Sequence, residues 1–159
     1  MASKRRSAGL LVHRGAGAGL EVLLVHPGGP MWSKRDAGAW SIPKGEYDGD
    51  EDPLAAARRE FQEELGMAPP QGPVRDLGEV RQKSGKVVHA WAVAGDVDIS
   101  SISSNTVTVQ WPPRSGKTLE IPEVDRAEWF GPEVARAKLN PAQVALLDRL
   151  CHILEMSTS

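Results

Sequence analysis

The stretch GEYDGDEDPLAAARREFQEELGM, residues 45–67, combines an apolar helical pattern with a dense acidic cluster. Four apolar residues recur at helical spacing in this stretch, namely Leu54, Ala57, Phe61 and Leu65. Their spacing predicts a helix over residues 53–65 with an apolar stripe that faces a core. At about 100° per residue, Glu60 and Glu64 lie one turn apart on a neighbouring face, and Glu63 lies beside them. The helix therefore buries one side and directs three carboxylates at a common place.

The flanks of the predicted helix carry start and stop signals. Asp52 is the expected N-cap, because its short side chain can accept a hydrogen bond from the first helical turn. Pro53 suits the first helical position, and Gly66 suits the C-terminal end. The composition of residues 45–50 predicts a loop, which can bring Glu51 up to the acidic face.

The three glutamates carry an electrostatic cost, because like charges at i, i+3 and i+4 destabilise a helix. A bound cation would offset this cost, and carboxylate oxygens suit Mg²⁺ or Mn²⁺. Arg59 stands among the glutamates and can hold Glu51 or Glu63 by a bidentate contact. The alternative is a solvated acidic surface that binds nothing.

Length and composition predict one globular domain. The chain has 159 residues, of which 40% are hydrophobic and 25% charged, and its formal net charge is -2. This charge disfavours nucleic acid as a partner, and no apolar run is long enough to span a membrane. We expect loose tails over residues 1–7 and 156–159 around a domain of residues 8–155. Cys151 is the only cysteine, which agrees with a cytoplasmic location. The sequence carries no signal for an oligomeric state.

Alternating apolar residues and turn signals outline the remaining elements. The predicted strands cover residues 7–14, 20–26, 40–43, 74–81, 86–94, 106–111 and 128–130, and 40–43 is either a short strand or an extended segment. Two further helices are predicted over residues 132–138 and 140–155. Because strands outnumber helices and helices follow the strand pairs, the sequence predicts an α/β or α+β fold.

Written as a spacing, residues 45–67 give G-x5-E-x7-R-E-U-x-E-E-x-G-U, where U is bulky and apolar. This pattern resembles the signature of the Nudix hydrolase family at nine specified positions: Gly45, Glu51, Arg59, Glu60, Phe61, Glu63, Glu64, Gly66 and Met67. The order of elements extends the likeness to residues 8–154. The resemblance implies an α/β/α sandwich with a mixed β-sheet. It also implies metal-dependent hydrolysis of a nucleoside diphosphate linked to another moiety, by water attack on phosphorus.

The resemblance implies roles for the residues of the motif. Glu60 and Glu64 are the expected principal ligands of Mg²⁺ or Mn²⁺. Glu63 is a further ligand or the general base. The main-chain carbonyl of Lys44 is another expected ligand, and the Lys44 side chain can reach a phosphate. Arg59 completes the catalytic group by orienting a carboxylate.

A distal carboxylate often completes such sites in the family. Glu120 and Glu123 are the candidates ahead of Trp129, and we choose Glu123 as the additional metal ligand. The alternative for Glu123 is an ordinary surface glutamate.

Basic residues in two loops are candidate substrate contacts. Arg114 and Lys117 lie in a loop that can close over a polyphosphate, and Arg35 can contact phosphate from the loop over residues 31–39. Arginine suits forked phosphate contacts, whereas lysine provides a point charge. For each of these residues, the alternative is a solvent-exposed charge.

The resemblance implies a small nucleotide as the substrate, and two further segments indicate which kind of nucleotide. The segment over residues 40–45 resembles the approach to the motif in diadenosine-tetraphosphate hydrolases. The loop over residues 111–116 resembles a bacterial group of predicted nucleoside triphosphate pyrophosphohydrolases. Both likenesses favour a nucleoside or dinucleoside polyphosphate. Two other classes stay open, a nucleotide-sensing Nudix-like binding module and an RNA 5′-end pyrophosphohydrolase.

Overall fold

The computed structural model of the chain describes residues 6–158. The described residues form eight strands: β1 (Arg6–Arg14), β2 (Glu21–Pro27), β3 (Lys44–Glu46), β4 (Val74–Arg81), β5 (Val87–Ala94), β6 (Thr106–Gln110), β7 (Thr118–Pro122) and β8 (Val124–Phe130). The three α-helices are α1 (Pro53–Leu65), α2 (Pro132–Lys138) and α3 (Val144–Thr158). Short 3-10 helices cover Gly17–Gly19, Ile99–Ser101 and Pro141–Gln143. Within the described part of the chain, no helix is long and apolar enough to cross a membrane.

The main sheet has the strand order β4-β5-β1-β2-β8, and β3 pairs with β1 outside this path. Strand β1 runs parallel to β5, whereas its pairings with β2 and β3 are antiparallel. The predicted mixed sheet is therefore confirmed, and β1–β2 and β4–β5 are antiparallel pairs of strands that follow each other in the chain. Strands β6 and β7 form a separate two-stranded sheet.

The sheet is covered on both faces, and strand β1 shows why. Its side chains alternate between faces, as the period of a strand requires. Leu10 and Val12 pack with Phe61 of α1 on one face. Leu11 packs with Leu147 of α3 on the other face. All of these side chains are at most 1% exposed. The result is the expected layering of helix, sheet and helix.

Several boundaries differ from the prediction. Strand β1 begins at Arg6, within the stretch predicted as a tail, because Ser7 is buried between its strand partners Val88 and Glu46. The rest of that stretch, residues 1–5, lies outside the described residues. Helix α3 continues to Thr158, beyond the boundary predicted at residue 155.

Strand β7 was missed by the sequence analysis, and β8 is longer than the predicted 128–130. The burial pattern of β7 explains the miss, since four of its five residues are exposed and show no period-2 alternation. Pairing with β6 makes it a strand, which is a long-range effect.

Replacement of Phe61 by alanine tests the packing of α1 against the sheet. Phe61 is fully buried in the core beside β1, so we expect Phe61→Ala to lower the free energy of unfolding by about 3–5 kcal/mol. Urea denaturation measures the change. Val134→Ala is the control, because Val134 is 49% exposed on α2 and its loss should change stability by less than about 0.5 kcal/mol. Equal effects of the two substitutions would contradict this packing.

Candidate active site

Helix α1 has both of the caps that its sequence predicts. The Asp52 side chain accepts a hydrogen bond from the Ala55 N–H at 3.0 Å, and Pro53 occupies the first helical position. Gly66 ends the helix with a φ of 73°, a left-handed conformation that favours glycine. The bounds of the helix match the predicted residues 53–65. The glutamates on it are therefore carried by a helix with defined ends.

The apolar stripe of α1 fixes which side chains face the sheet. Phe61 and Leu65 are fully buried, and they draw the neighbouring face of the helix inward. Glu60 and Glu64 are each only 7% exposed as a result. Oε1 of Glu64 accepts a hydrogen bond from the Lys44 N–H at 2.7 Å. Two buried carboxylates thus lie against the segment that leads into strand β3.

Gly45 makes the close approach of Glu60 possible. A Cβ atom added at Gly45 would overlap the carboxylate of Glu60. The first glycine of the motif is therefore required by space, because its φ is not in the left-handed region. Any larger residue at this position would push the Glu60 carboxylate away from strand β3.

The Arg59 guanidinium links three carboxylates. It forms a bidentate contact with Glu51, from Nε at 2.8 Å and from Nη2 at 3.0 Å. Its Nη1 donates to Glu60 at 2.7 Å and to Glu63 at 3.2 Å. The expected pairing with Glu51 or Glu63 is thus present with both, and Glu60 is an additional partner. The hydrogen bond from Arg59 holds the pKa of Glu51 below its usual value.

Burial dominates the electrostatics of the inner glutamates. It raises the pKa of Glu64 to about 8, although the Lys44 ammonium acts to lower this pKa. The charges of Glu123 and Glu60 add to the rise. Burial also raises the pKa of Glu60 and of Glu123. On the other side, burial lowers the pKa of Lys44. Removing carboxylates from water disfavours their charged form, so this cluster would gain from a further positive charge.

The donor set at this place fits a divalent cation in its chemistry. Four glutamates supply carboxylate oxygens, the ligands that Mg²⁺ prefers: Glu60, Glu63, Glu64 and Glu123. As they stand, no three His, Cys, Asp or Glu side chains of residues 6–155 are grouped so as to hold a metal ion. Instead, Nη1 of Arg59 donates to Glu60 and to Glu63. A bound Mg²⁺ would therefore compete with the guanidinium for these oxygens.

A cleft of about 580 Å³ opens beside the buried carboxylates, and Lys44, Glu64 and Glu123 line it. Apolar side chains from the loop after β2 and from the β6–β7 sheet line a second part, among them Trp32, Val107 and Ile121. Polar side chains from the β4–β5 turn and the region before α3 also contribute: Gln82, Lys83, Ser84, Asn140 and Gln143. A concave site that joins charged, apolar and polar walls suits a small organic ligand.

The structure separates the predicted substrate contacts into two groups. Lys44 lines the cleft, and its role as a phosphate contact stays a prediction. Arg114 and Lys117 are exposed in the turn between β6 and β7, and neither lines the cleft. Arg35 is also exposed and lies 5.4 Å from the centre of the Trp32 ring. The roles of these three outer residues stay predictions.

Of the two candidate distal carboxylates, the structure places one near the motif. Glu123 is half-buried in the connection between β7 and β8, and its N–H donates to the Asn105 carbonyl at 2.8 Å. The Asn105 N–H in turn donates to the Glu63 carbonyl, which ties this connection to α1. Glu120 is exposed on β7 and lies outside the cleft. The chosen Glu123 is thus near the cluster, and its role as a metal ligand stays a prediction.

Sequence reasoning missed the polar wall of the cleft. Lys83 lies in a turn with ordinary turn composition, and Gln143 lies in the helical region after Asn140. No local pattern distinguishes either residue from a solvated surface residue. Trp32, in the loop after β2, also lines the cleft. These residues come together through contacts between segments that are distant in sequence.

A comparison with family models matches residues 3–150 of this chain to the NUDIX domain. With a match over nearly the whole chain and the complete carboxylate motif on α1, the chain belongs to the Nudix family and is a pyrophosphohydrolase. No curated protein sequence matches the chain.

Three solved structures share the fold at low sequence identity. The C. elegans Ap4A hydrolase, in a binary complex, has a TM-score of 0.66 at 22% identity, with 96% of this chain and 98% of that chain covered. The NUDIX domain of Shewanella oneidensis NrtR, complexed with ADP ribose, has a TM-score of 0.66 at 15% identity, with 97% and 90% covered. The MutT protein of Methanosarcina mazei has a TM-score of 0.60 at 19% identity, with 94% of each chain covered.

Replacement of Gly45 by alanine tests the contact between β3 and Glu60. The added Cβ must displace the Glu60 carboxylate, so we expect Gly45→Ala to lower turnover by about tenfold or more, which is about 1.4 kcal/mol in the barrier. Steady-state kinetics on the best substrate measures the loss. Gly49→Ala is the matched control, because a Cβ at Gly49 meets no atom within 4 Å. Turnover that is equal in the two variants would contradict the role given to Gly45.

Proposed function

We propose that this protein hydrolyses nucleoside or dinucleoside polyphosphates with the help of Mg²⁺ or Mn²⁺. The observation that carries the proposal is the pair of buried carboxylates, Glu60 and Glu64, at the side of a cleft that suits a nucleotide. A solvated acidic surface would leave these side chains exposed, and it would not need a glycine to make room for one of them.

Each residue of the cluster has a role in this proposal. Glu60 and Glu64 would hold the metal, with Glu63, Glu123 and the Lys44 carbonyl as further ligands. When bound, the metal neutralises phosphate charge and lowers the pKa of a coordinated water. A glutamate that is not occupied as a ligand can accept the proton of the attacking water, and Glu63 is our choice because it is the most exposed of the three glutamates on α1.

Arg59 and Lys44 bring positive charge to the site. Arg59 orients carboxylates through its bidentate contact with Glu51, and we do not assign it as a base because a guanidinium keeps its proton. The Lys44 side chain is placed to neutralise phosphate, since it lines the cleft next to Glu64. Its lowered pKa reflects burial, and a bound phosphate would favour its charged form.

The apolar part of the cleft suits a nucleobase. Trp32 offers a π-face on which any base can stack, and such stacking is worth about 1–3 kcal/mol per base. The Ap4A hydrolase and the ADP-ribose-bound NUDIX domain described above show that this fold accommodates two kinds of adenine nucleotide. Our choice of a polyphosphate rests on the sequence likenesses of residues 40–45 and 111–116.

A substrate screen tests the proposal. Purified protein with Mg²⁺ is incubated with nucleoside triphosphates, dinucleoside polyphosphates, ADP-ribose and capped RNA, and the products are identified by mass. We expect turnover to be highest on a nucleoside or dinucleoside polyphosphate. Turnover only on capped RNA would favour the RNA 5′-end enzyme. Nucleotide binding without any turnover would favour a binding module, and either result would overturn the proposal.

Replacement of Glu64 by glutamine tests the role of the buried carboxylates. Glutamine keeps the shape and removes the charge, so we expect Glu64→Gln to keep the fold and to lower kcat by about a hundredfold or more, which is about 2.7 kcal/mol. Circular dichroism and steady-state kinetics check the two parts. Glu120→Gln is the control, because Glu120 is exposed outside the cleft, and its activity should equal that of the wild type. Near-wild-type turnover of Glu64→Gln would remove Glu64 from the mechanism.

A further inference from the structure

The cleft has a basic side that lies outside the motif of residues 45–67. Lys83, in the turn between β4 and β5, lines the same cleft as Lys44 and Glu64. Lys86 follows in that turn, and its charge contributes to lowering the pKa of Lys44. Lys44 and Lys83, from two segments that are distant in sequence, therefore line one cleft, and the charge of Lys86 acts on Lys44 from the same turn as Lys83.

The turn that carries these lysines has a defined shape. The Gln82 N–H donates to the Lys86 carbonyl at 2.8 Å, and the Gly85 N–H donates to the Gln82 carbonyl at 2.8 Å. These two bonds close the turn. The ammonium groups of Lys83 and Lys86 are thus presented from a closed turn rather than from an extended loop.

The buried amide of Gln143 fastens this turn to the segment that leads to Lys44. Gln143 is fully buried, and its Oε1 accepts a hydrogen bond from the Ile42 N–H at 2.9 Å. Its Nε2 donates to the Ser41 hydroxyl and to Oε1 of Gln82, each at 3.0 Å. One side chain therefore fixes the positions of both basic segments relative to each other.

This arrangement has a consequence for the length of the phosphate chain. Lys44 adjoins Glu64 and can serve the phosphates nearest to the carboxylates. Lys83, on the turn between β4 and β5, adds a second positive charge to the cleft from a separate segment. Each further phosphate brings further negative charge, which favours contact with this second basic segment. A diphosphate linked to a sugar has no such additional phosphates.

We propose that Lys83, supported by Lys86, binds the additional phosphates of substrates with three or more phosphates. This inference rests on the proposed function and refines it. Lys83 is a specificity-determining residue that selects polyphosphate chains over diphosphate-linked sugars such as ADP-ribose. Gln143 is a positioning residue that holds the turn of Lys83 against the cleft.

Kinetics on substrates of different chain length test this inference. We expect Lys83→Gln to raise KM for a nucleoside triphosphate and for a dinucleoside tetraphosphate by about tenfold, the effect of about 1.4 kcal/mol in binding. We expect kcat on these substrates and KM for ADP-ribose to change less than about twofold, because ADP-ribose has no phosphate at this place. Lys83→Gln/Lys86→Gln should show a larger effect with the same dependence on chain length.

Arg75→Gln is the matched control, because Arg75 is exposed on β4 outside the cleft and its loss removes the same unit of charge. Lys83→Arg should restore KM, since it restores the charge. An equal effect of Lys83→Gln on triphosphate and ADP-ribose, or no effect on either, would overturn the inference while leaving the proposed hydrolysis in place.

A binding measurement separates this inference from the proposed function. Calorimetry compares nucleoside di- and triphosphate analogues in which methylene groups replace the bridging oxygens, so that no turnover is needed. The wild type should bind the triphosphate analogue more tightly than the diphosphate analogue, and Lys83→Gln should lose this difference. If no substrate is hydrolysed, the proposed function fails, and the calorimetric difference still decides the role of Lys83. An unchanged difference in the variant would overturn that role.

Discussion

The structure depends on one contact, the approach of two buried carboxylates on α1 to the backbone of strand β3. Glu60 and Glu64 are each 7% exposed, which costs free energy unless the charges find partners. Gly45 gives Glu60 its space, and the Lys44 N–H gives Glu64 a hydrogen bond. The apolar face of α1 holds these groups in place, because Phe61 is fully buried against the sheet. The same helix thus supplies both core and site.

Arg59 gives the site a positive charge of its own, and its contacts suggest how a metal is accommodated. Its strongest anchor is the bidentate pair with Glu51, which lies outside the helix. Through a single nitrogen, Nη1, it also contacts Glu60 and Glu63. Arg59 can therefore release these two carboxylates to a divalent ion and still keep its anchor. In our proposal, this exchange would reconcile a donor set that suits Mg²⁺ with side chains that, among the described residues, do not converge on one point.

The parts of the structure that could be predicted from sequence are those coded locally. The bounds of α1, its Asp52 cap and its Gly66 end follow from residues within one stretch. The mixed sheet and its two covered faces follow from the family resemblance. Strand β7 and the cleft wall of Lys83 and Gln143 could not be predicted, because they exist only through contacts between distant segments. The sequence also suggested that Arg114 contacts the substrate. The position of Arg114 relative to the cleft depends on the path of the β6–β7 hairpin.

The most direct test of the account is the thermal stability of the protein as a function of Mg²⁺ concentration. A ligand that binds only the folded state adds about 2.7 kcal/mol of stability at a hundred times its Kd. We predict that Tm of the wild-type protein rises with Mg²⁺ and that Tm of Glu60→Gln/Glu64→Gln does not. A Tm that is independent of Mg²⁺ in the wild type, or that rises equally in both proteins, would contradict the claim that the buried carboxylates form a cation site.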